Sequence, residues 1–286
     1  MTTHSLAGTW TLRQEGATDK IPVTVPGDVH AALIAAKRIP DPNDARHEDD
    51  VQWVGEAEWI FERAFTVDAA LFAKASLMLI CDSLDTVADI TINGKPAGSA
   101  ANQHRRWRFE IKPLLVAGDN RITIRFRSAQ AESARRAKQL NYPIPYSSNN
   151  RLPHHNLLRK AQCHAGWDWG ICLMVAGIVD DIRVEGVDLA RIDYVTTVQA
   201  HHERACTVTI TAEVQSPAGG EAPFSVDFAG QRQERRVQLT PGANLVSTEI
   251  TVTDPDLWWP NGHGRQPLYP LMVTVGDQSV RKQIGL

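Results

Sequence analysis

The sequence has few cysteines, no long hydrophobic run and no excess of basic charge. Four cysteines in 286 residues are too few for the disulfide framework of a small secreted domain, so we expect free thiols. The 30 basic and 33 acidic residues give a net charge of −3, which offers no electrostatic reason to expect a nucleic-acid partner. No apolar run approaches a transmembrane helix, and the opening residues lack the pattern of a secretory signal. These absences predict a soluble, cytoplasmic protein.

What the sequence does contain is a series of short strand patterns. Hydrophobic residues make up 43% of the chain, enough for a substantial core. Residues 76–81 (SLMLIC) form an apolar run. Residues 86–92 (TVADITI) nearly alternate and lead into Asn93-Gly94, a dipeptide favoured in tight hairpin turns. Residues 121–126 (RITIRF) alternate as well. The first half of the chain therefore reads mainly as antiparallel strands.

The second half continues this pattern. Helical patterns are confined to residues 29–37 and 129–140. An eight-stranded parallel barrel needs a helix of about ten residues or more between its strands, and none is predicted beyond residue 190. We therefore predict two all-β domains that meet near residues 185–187. The strand patterns of the second domain are YVTTVQA, CTVTITAEV, FSVDF, RRVQL, LVSTEITV and YPLMVTV.

The question of function arises at residues 162–172, which read QCHAGWDWGIC. A polar segment with several prolines, residues 141–162, leads directly into GWDWG at 166–170. A loop of that length inside a compact domain is usually functional or disordered. The segment is therefore the first place to look for a binding site.

The two tryptophans and the aspartate in this stretch have the chemistry of a hexose site. A sugar needs a flat apolar wall for its C–H face and carboxylate oxygens for its hydroxyls, and Trp167, Asp168 and Trp169 offer both. Arg159 could orient the carboxylate through a bidentate pair. The structural alternative places both tryptophans in the core and makes Asp168 a turn cap.

Potential metal ligands lie in the same region, at His154, His155, Cys163, His164 and Cys172. Their spacing matches no paired Cys-x-x-Cys or His-x₃-His unit, so a zinc site is the weaker interpretation, and we expect no cofactor. The sequence also contains no Gly-x-Ser-x-Gly elbow and no P-loop.

Residues 159–162 (RKAQ), followed by GWDWG at 166–170, resemble the signature of β-mannosidases in glycoside hydrolase family 2. The resemblance covers nearly the whole chain. Its further motifs are VPGDVH at 25–30, IPDP at 39–42, QWVG at 52–55, WIF at 59–61, ING at 92–94, DLWWPNG at 256–262 and QPLY at 266–269.

The resemblance implies a jelly-roll, sugar-binding-like domain over residues 1–186 and an immunoglobulin-like β-sandwich over residues 187–286. In such enzymes a (β/α)₈ barrel follows and carries two glutamates, about 5 Å apart, which remove terminal non-reducing β-D-mannose with retention. The family's acid/base follows an asparagine, and no Asn-Glu dipeptide occurs in this chain. We therefore expect the catalytic residues to lie in a missing C-terminal barrel and the isolated chain to be inactive.

The resemblance also implies roles for individual residues. The family's GWDWG loop reaches the mouth of the barrel, where Asp168 would accept hydrogen bonds from mannose hydroxyls and Trp169 would line the pocket. Arg159 is expected nearby, and Trp167 either lines the pocket or packs behind it. The expected partner is a β-mannoside oligosaccharide.

Two other functions remain open from the sequence. One is a stand-alone carbohydrate-binding or scaffolding module. The other is the front part of a different family-two glycosidase, such as a β-galactosidase, β-glucuronidase or exo-glucosaminidase, although the Trp-Asp-Trp stretch favours the β-mannosidase.

Trp258 and Trp259 directly precede a Pro-Asn-Gly turn. We predict that one or both pack the end of the second domain.

Overall fold

The computed structural model describes residues 2–146 and 149–286 and divides the chain into two compact units. The first unit comprises Thr2–Ala73 and Leu77–Glu185, and the second comprises Lys74–Ser76 and Gly186–Leu286. Ser147 and Ser148, which belong to the polar segment noted above, lie outside the described residues. Among the described residues, no helix has the length and apolar character needed to cross a membrane.

The first unit is built mainly from short strands. Its described residues form the α-helices α1 (Val29–Ala35), α2 (His47–Asp50), α3 (Trp53–Glu56), α4 (Ala69–Phe72) and α5 (Ala129–Ala137), and the 3₁₀ turns Lys112–Leu114, His155–Leu157 and Gln162–Ala165. Its strands are β1 (Thr2–Ser5), β2 (Gly8–Gln14), β3 (Ile21–Val25), β4 (Gly27–Asp28), β5 (Trp59–Val67), β6 (Ser76–Cys81), β7 (Leu84–Asp85), β8 (Val87–Ile92), β9 (Lys95–Ala101), β10 (Trp107–Glu110), β11 (Gly118–Phe126), β12 (Gly177–Ile178) and β13 (Ile182–Val187).

These strands form two main sheets around one core. The larger sheet has the order β3-β2-β5-β11-β8-β9 with every neighbour antiparallel, and the smaller has the order β1-β13-β6-β10. Phe61 and Phe126 meet edge to face inside the core, with ring centroids 5.3 Å apart. Leu77 and Leu79 from the smaller sheet belong to the same buried cluster. The alternating strand patterns thus bury one face of each sheet in a β-sandwich.

A third, three-stranded sheet supports the segment with the candidate site. Its order is β4-β12-β7, and Gly177 of β12 lies opposite Asp28 on one side and Asp85 on the other. A Cβ at Gly177 would lie 2.4 Å from the Gly27 carbonyl oxygen, so the close approach of β4 requires glycine there. This sheet places Asp85 next to the chain that returns from the GWDWG stretch.

The second unit is another antiparallel β-sandwich. Its sheets have the orders β14-β15-β18 and β17-β16-β19-β20, and Phe224, Phe228 and Val273 belong to its separate buried core. The prediction of an all-β protein is confirmed. The strands of this unit are β14 (Arg191–His201), β15 (Ala205–Ser216), β16 (Gly220–Phe228), β17 (Gln231–Leu239), β18 (Gly242–Thr253), β19 (Tyr269–Val275) and β20 (Gln278–Ile284).

Trp258 and Trp259 lie beside the C-terminal end of this second unit. The Trp258 amide donates to the Leu286 carbonyl at 2.7 Å, and the Trp258 side chain covers Gly285. Trp259 covers Gly264 in the same way. Both indoles pack locally on glycine backbone, as expected, but they remain 42% and 48% exposed, so neither belongs to the buried core.

Candidate functional site

Residues 166–170, the GWDWG turn, project from the long connection between α5 and β12. Trp167 and Gly170 pair across the turn, with N···O distances of 3.4 and 3.3 Å, which leaves Asp168 and Trp169 at its tip. Gly166 has a φ of +86°, and a Cβ there would lie 3.2 Å from the Cys172 Cβ. Both the dihedral angle and the crowding therefore require glycine at the start of the turn.

Neither residue at the tip is buried in the core of the fold. Trp169 is 82% exposed, far more than a core tryptophan, and Asp168 is exposed as well. Within the described part of the chain, the Asp168 carboxylate has no hydrogen-bond or ion-pair partner. The alternative in which Asp168 caps a turn and Trp169 fills the core therefore has no support in this geometry.

Trp167 occupies a different environment from Trp169. It is partly buried, and its ring centroid lies 6.5 Å from that of Trp169, with the two planes at 66°. Of the two tryptophans, Trp167 is therefore the one that contributes to packing behind the tip. The tip thus presents an exposed indole and a carboxylate that has no partner among the described residues.

Helix α2 supports one side of the GWDWG turn. Glu48 accepts the Cys172 amide at 3.0 Å, and Arg151 lies 2.8 Å from Asp49. Gln52 donates to the Cys172 carbonyl at 2.9 Å. A cavity of about 320 Å³ separates this helix from the back of the turn and includes Glu48, Arg151 and Cys172 in its lining. The turn is thus fixed from one flank by polar contacts.

Two amide side chains, the buried one of Asn150 and the half-buried one of Gln162, also hold the backbone around the turn. Asn150, which is 7% exposed, donates to the carbonyls of Gly166 and Gln162. The Gln162 amide in turn donates to the Lys160 carbonyl at 2.9 Å. These side chains replace the hydrogen bonds that a helix or strand would otherwise supply to the backbone.

Arg159 lies at the start of this segment but does not orient Asp168. Its backbone pairs with that of Asn102, and its carbonyl accepts the Gln103 amide at 2.8 Å. Its side chain is exposed, and among the described residues it forms no ion pair with Asp168. The bidentate Arg159–Asp168 pair proposed from the sequence is therefore absent from this conformation.

The structure reveals a buried ion pair that the sequence did not indicate. Lys160 Nζ lies 2.6 Å from each carboxylate oxygen of Asp85 and 2.6 Å from the Val175 carbonyl oxygen. The side chains of Lys160 and Asp85 are only 2% and 0% exposed. A lysine in the RKAQ stretch would ordinarily be expected on the surface, and 75 residues separate it from its partner.

Two histidines lie close to this pair. His164 Nδ1 is 3.5 Å from an Asp85 oxygen, and His30 is 4% exposed, with no hydrogen-bond partner for its Nδ1 among the described residues. Burial opposes ionisation of Asp85, but His164, Lys160 and Thr86 outweigh it and hold the pKa of Asp85 below its usual range. Burial also lowers the pKa of His30. Burial likewise lowers the pKa of Lys160, and the neighbouring Asp85 carboxylate opposes that shift.

The five potential metal ligands noted from the sequence do not converge on one point. Cys163 is exposed, whereas Cys172 is buried and bonds to Gln52, and His155 Nδ1 pairs with the Leu152 carbonyl. Across residues 2–146 and 149–286, no group of three or more His, Cys, Asp or Glu side chains has the arrangement of a metal site.

Family models match most of the chain. Residues 10–180 match the model described as glycosyl hydrolase 2 galactose-binding domain-like, and residues 188–286 match glycosyl hydrolases family 2.

Curated proteins with similar sequences are β-mannosidases. The β-mannosidase of Rattus norvegicus is 28% identical over 280 residues, which cover 93% of this chain and 32% of the relative. β-Mannosidase B of Emericella nidulans is 32% identical in an alignment of 304 residues, and this alignment covers 100% of this chain and 35% of the relative. The chain thus spans about a third of the length of the curated relatives it matches.

Solved structures with a similar fold include a β-mannosidase. The β-D-mannosidase from Dictyoglomus thermophilum matches all of this chain and 36% of its own, with a TM-score of 0.91 and 29% identity. An exo-chitosanase from Amycolatopsis orientalis matches with a TM-score of 0.70 at 16% identity, which shows a shared fold alone.

Proposed function

Because the chain belongs to glycoside hydrolase family 2, we propose that it forms the substrate-shaping part of a retaining β-mannosidase. The complete enzyme would remove terminal β-D-mannose from the non-reducing end of oligosaccharides. One observation supports this more than any other: the tip of the GWDWG turn presents an exposed indole beside a carboxylate that no other described residue uses.

The chemistry of the tip suits a hexopyranose. An indole face stacks on the apolar C–H face of a sugar, and a carboxylate accepts hydrogen bonds from two neighbouring hydroxyls. We propose Trp169 and Asp168 as direct contacts, with Trp167 supporting the turn. Arg159, whose side chain is exposed and close in sequence, is available to a substrate hydroxyl instead of to Asp168.

The turn supplies only one wall of such a site. A monosaccharide that touches one indole and one carboxylate buries too little surface to offset its lost translational and rotational freedom. The other walls and the pair of catalytic carboxylates would come from the part of the relatives' length that this chain does not span. Contacts at Asp168 would then hold the sugar away from the bond being cut and help to orient its reacting carbon.

The test is an activity panel on the complete protein expressed from its gene. We expect turnover of an aryl β-mannoside to exceed that of the matching β-galactoside, β-glucuronide and β-glucosaminide. A clear preference for one of those three sugars would identify a different family-two glycosidase. Absence of turnover with all four, in a protein that still binds mannosides, would favour the stand-alone binding module.

A further inference from the structure

The segment that carries the GWDWG turn has little regular structure of its own. Over residues 149–176, only the two 3₁₀ turns His155–Leu157 and Gln162–Ala165 interrupt it. Yet a sugar contact requires the tip to stay within a few tenths of an ångström of one position. Something other than local secondary structure must therefore fix the turn.

Lys160 makes contacts of this kind at the base of the turn, in addition to those that Glu48 and Asn150 make closer to its tip. Its ammonium has three N–H donors, which match the two Asp85 oxygens and the Val175 carbonyl oxygen, each at 2.6 Å. Val175 lies 15 residues after Lys160, and the GWDWG turn lies between them. One side chain therefore joins the stretch that leads into the GWDWG turn to the stretch that leads out of it.

The same contact attaches the base of the segment to the sheet. Asp85 ends β7, and β7 pairs with β12 so that Asp85 lies opposite Gly177, two residues after Val175. Asp85 also accepts a hydrogen bond from Thr86. The strand pairing and the Thr86 hydrogen bond thus fix the Asp85 carboxylate, and this carboxylate in turn fixes the Lys160 ammonium.

A gain in the stability of the fold does not by itself explain why Lys160 and Asp85 are buried as a charged pair. Removing two charges from water is costly, and well-packed apolar side chains of similar volume often stabilise a protein as well or better. An apolar pair, however, cannot bond a carbonyl or fix the distance between two ends of a loop. Nearby titratable groups include His30, His164, Asp28 and Cys163, and none of them makes the three contacts of Lys160.

We infer that Lys160, held by Asp85, is a positioning residue that fixes the GWDWG turn by closing the base of its segment. Lys160 itself is buried, so the inference gives it no direct contact with a substrate. Its role in substrate recognition rests on the proposed function of Asp168 and Trp169, whereas its role in placing the turn does not.

The first experiment measures the turn directly in the 286-residue chain. The chain is labelled with 5-fluorotryptophan, and the fluorine resonance of Trp169 is assigned with Trp169→Phe. We expect Lys160→Met to move or broaden this resonance while that of the buried Trp10 stays unchanged. Lys95→Met, at an exposed lysine of the β8–β9 hairpin, is the matched control and should leave Trp169 unaffected.

A second variant, Lys160→Met with Asp85→Asn, removes both charges in case the single change prevents folding. It should perturb Trp169 in the same way. An unchanged Trp169 resonance in folded Lys160→Met protein would overturn the inference. So would loss of folding in both variants, because the pair would then be a general stability element.

The second experiment uses the complete protein and a double-mutant cycle. Lys160→Met should lower kcat/KM for an aryl β-mannoside by about tenfold or more. If Lys160 acts by placing the turn, Asp168→Ala should cost much less in the Lys160→Met background than in the wild type. Strictly additive effects would contradict the positioning role. Absence of wild-type turnover would instead refute the proposed function, and the fluorine spectra would still decide the placement of the turn.

Discussion

At the scale of single residues, Asp168 separates a binding role from a structural one most clearly. Its carboxylate is exposed and unpartnered among the described residues, so replacing it removes no contact of the fold. A substrate hydroxyl left without its charged partner, by contrast, loses a hydrogen bond of the strong, charge-assisted kind.

We therefore predict that Asp168→Ala in the complete protein lowers kcat/KM for an aryl β-mannoside by roughly a hundredfold or more with little change in Tm. Asp168→Asn should be milder, because its amide oxygen still accepts a hydrogen bond. Glu203→Ala, at an exposed acid of the second unit, serves as the control. A lowered Tm with normal kinetics would support the turn-cap alternative instead.

Thiol reactivity is a second prediction at this scale. Cys81, Cys172 and Cys206 are buried, and burial raises the pKa of Cys172 to about 11, whereas Cys163 is exposed. Since the thiolate is the reactive species, one of the four thiols should react quickly with a disulfide reagent in the native protein, and all four in denaturant. Cys163→Ser should abolish the fast phase, and a fast phase that persists would show that another thiol is accessible.

At the scale of elements, helix α5 is tied to the candidate site by charge. Glu132 accepts hydrogen bonds from Arg135 and Arg136, and Arg136 also donates to the Leu157 carbonyl at 3.0 Å. Arg135, then the opposing effect of burial, then Arg136 determine the pKa of Glu132, which falls to about 2. A hydrogen bond from Arg136 thus joins the helix to the segment that carries the GWDWG turn, and the same guanidinium pairs with Glu132 inside the helix.

This contact predicts a specific pH dependence. Because the folded pKa of Glu132 is lowered, its contribution to stability is fully present above the unfolded value of about 4.5 and is lost as pH falls toward about 2. Glu132→Gln should lower the free energy of unfolding at pH 7 by about 1–2 kcal/mol. This is less than the full pKa shift of Glu132 would give, because Arg135 is half exposed and solvent screens its charge. The difference from wild type should shrink between about pH 4.5 and 2. Denaturant titrations of both proteins check this, with exposed Glu56→Gln as the control; a difference independent of pH would contradict it.

At the scale of the whole molecule, the chain consists of two β-sandwich units and spans about a third of its curated relatives. A retaining glycosidase needs two carboxylates about 5 Å apart around the scissile bond. The resemblance to the family associates its acid/base with an Asn-Glu dipeptide, which these 286 residues do not contain.

We therefore predict that the 286-residue chain alone does not hydrolyse an aryl β-mannoside. Turnover should stay at the level of a buffer control, while circular dichroism shows a folded, strand-rich protein. Activity that copurifies with the chain through two orthogonal columns, and that disappears in an Asp168→Ala chain, would contradict this.

Much of this fold could be predicted because its signals are local. The apolar run at residues 76–81 became strand β6 with the same bounds, and Asn93 and Gly94 adopt the positive φ angles, 52° and 76°, of the predicted hairpin turn. The RKAQ and GWDWG stretches were sufficient to predict the family, and the family models confirm it. The predicted boundaries of the two domains and the substrate contacts stay predictions.

The sequence by itself determined several strands, such as those at residues 76–81 and 121–126, the Asn93-Gly94 turn and which residues occupy the tip of the GWDWG turn. These depend on side-chain periodicity and on dihedral angles within a few residues. Only the tertiary structure decided that Asp168 has no partner among the described residues, that Arg159 forms no ion pair with it there, and that Lys160 is buried against Asp85. The reason is that desolvation and pairing depend on residues far apart in the chain: β7 brings Asp85 to Lys160 across 75 positions, and no local pattern records that distance.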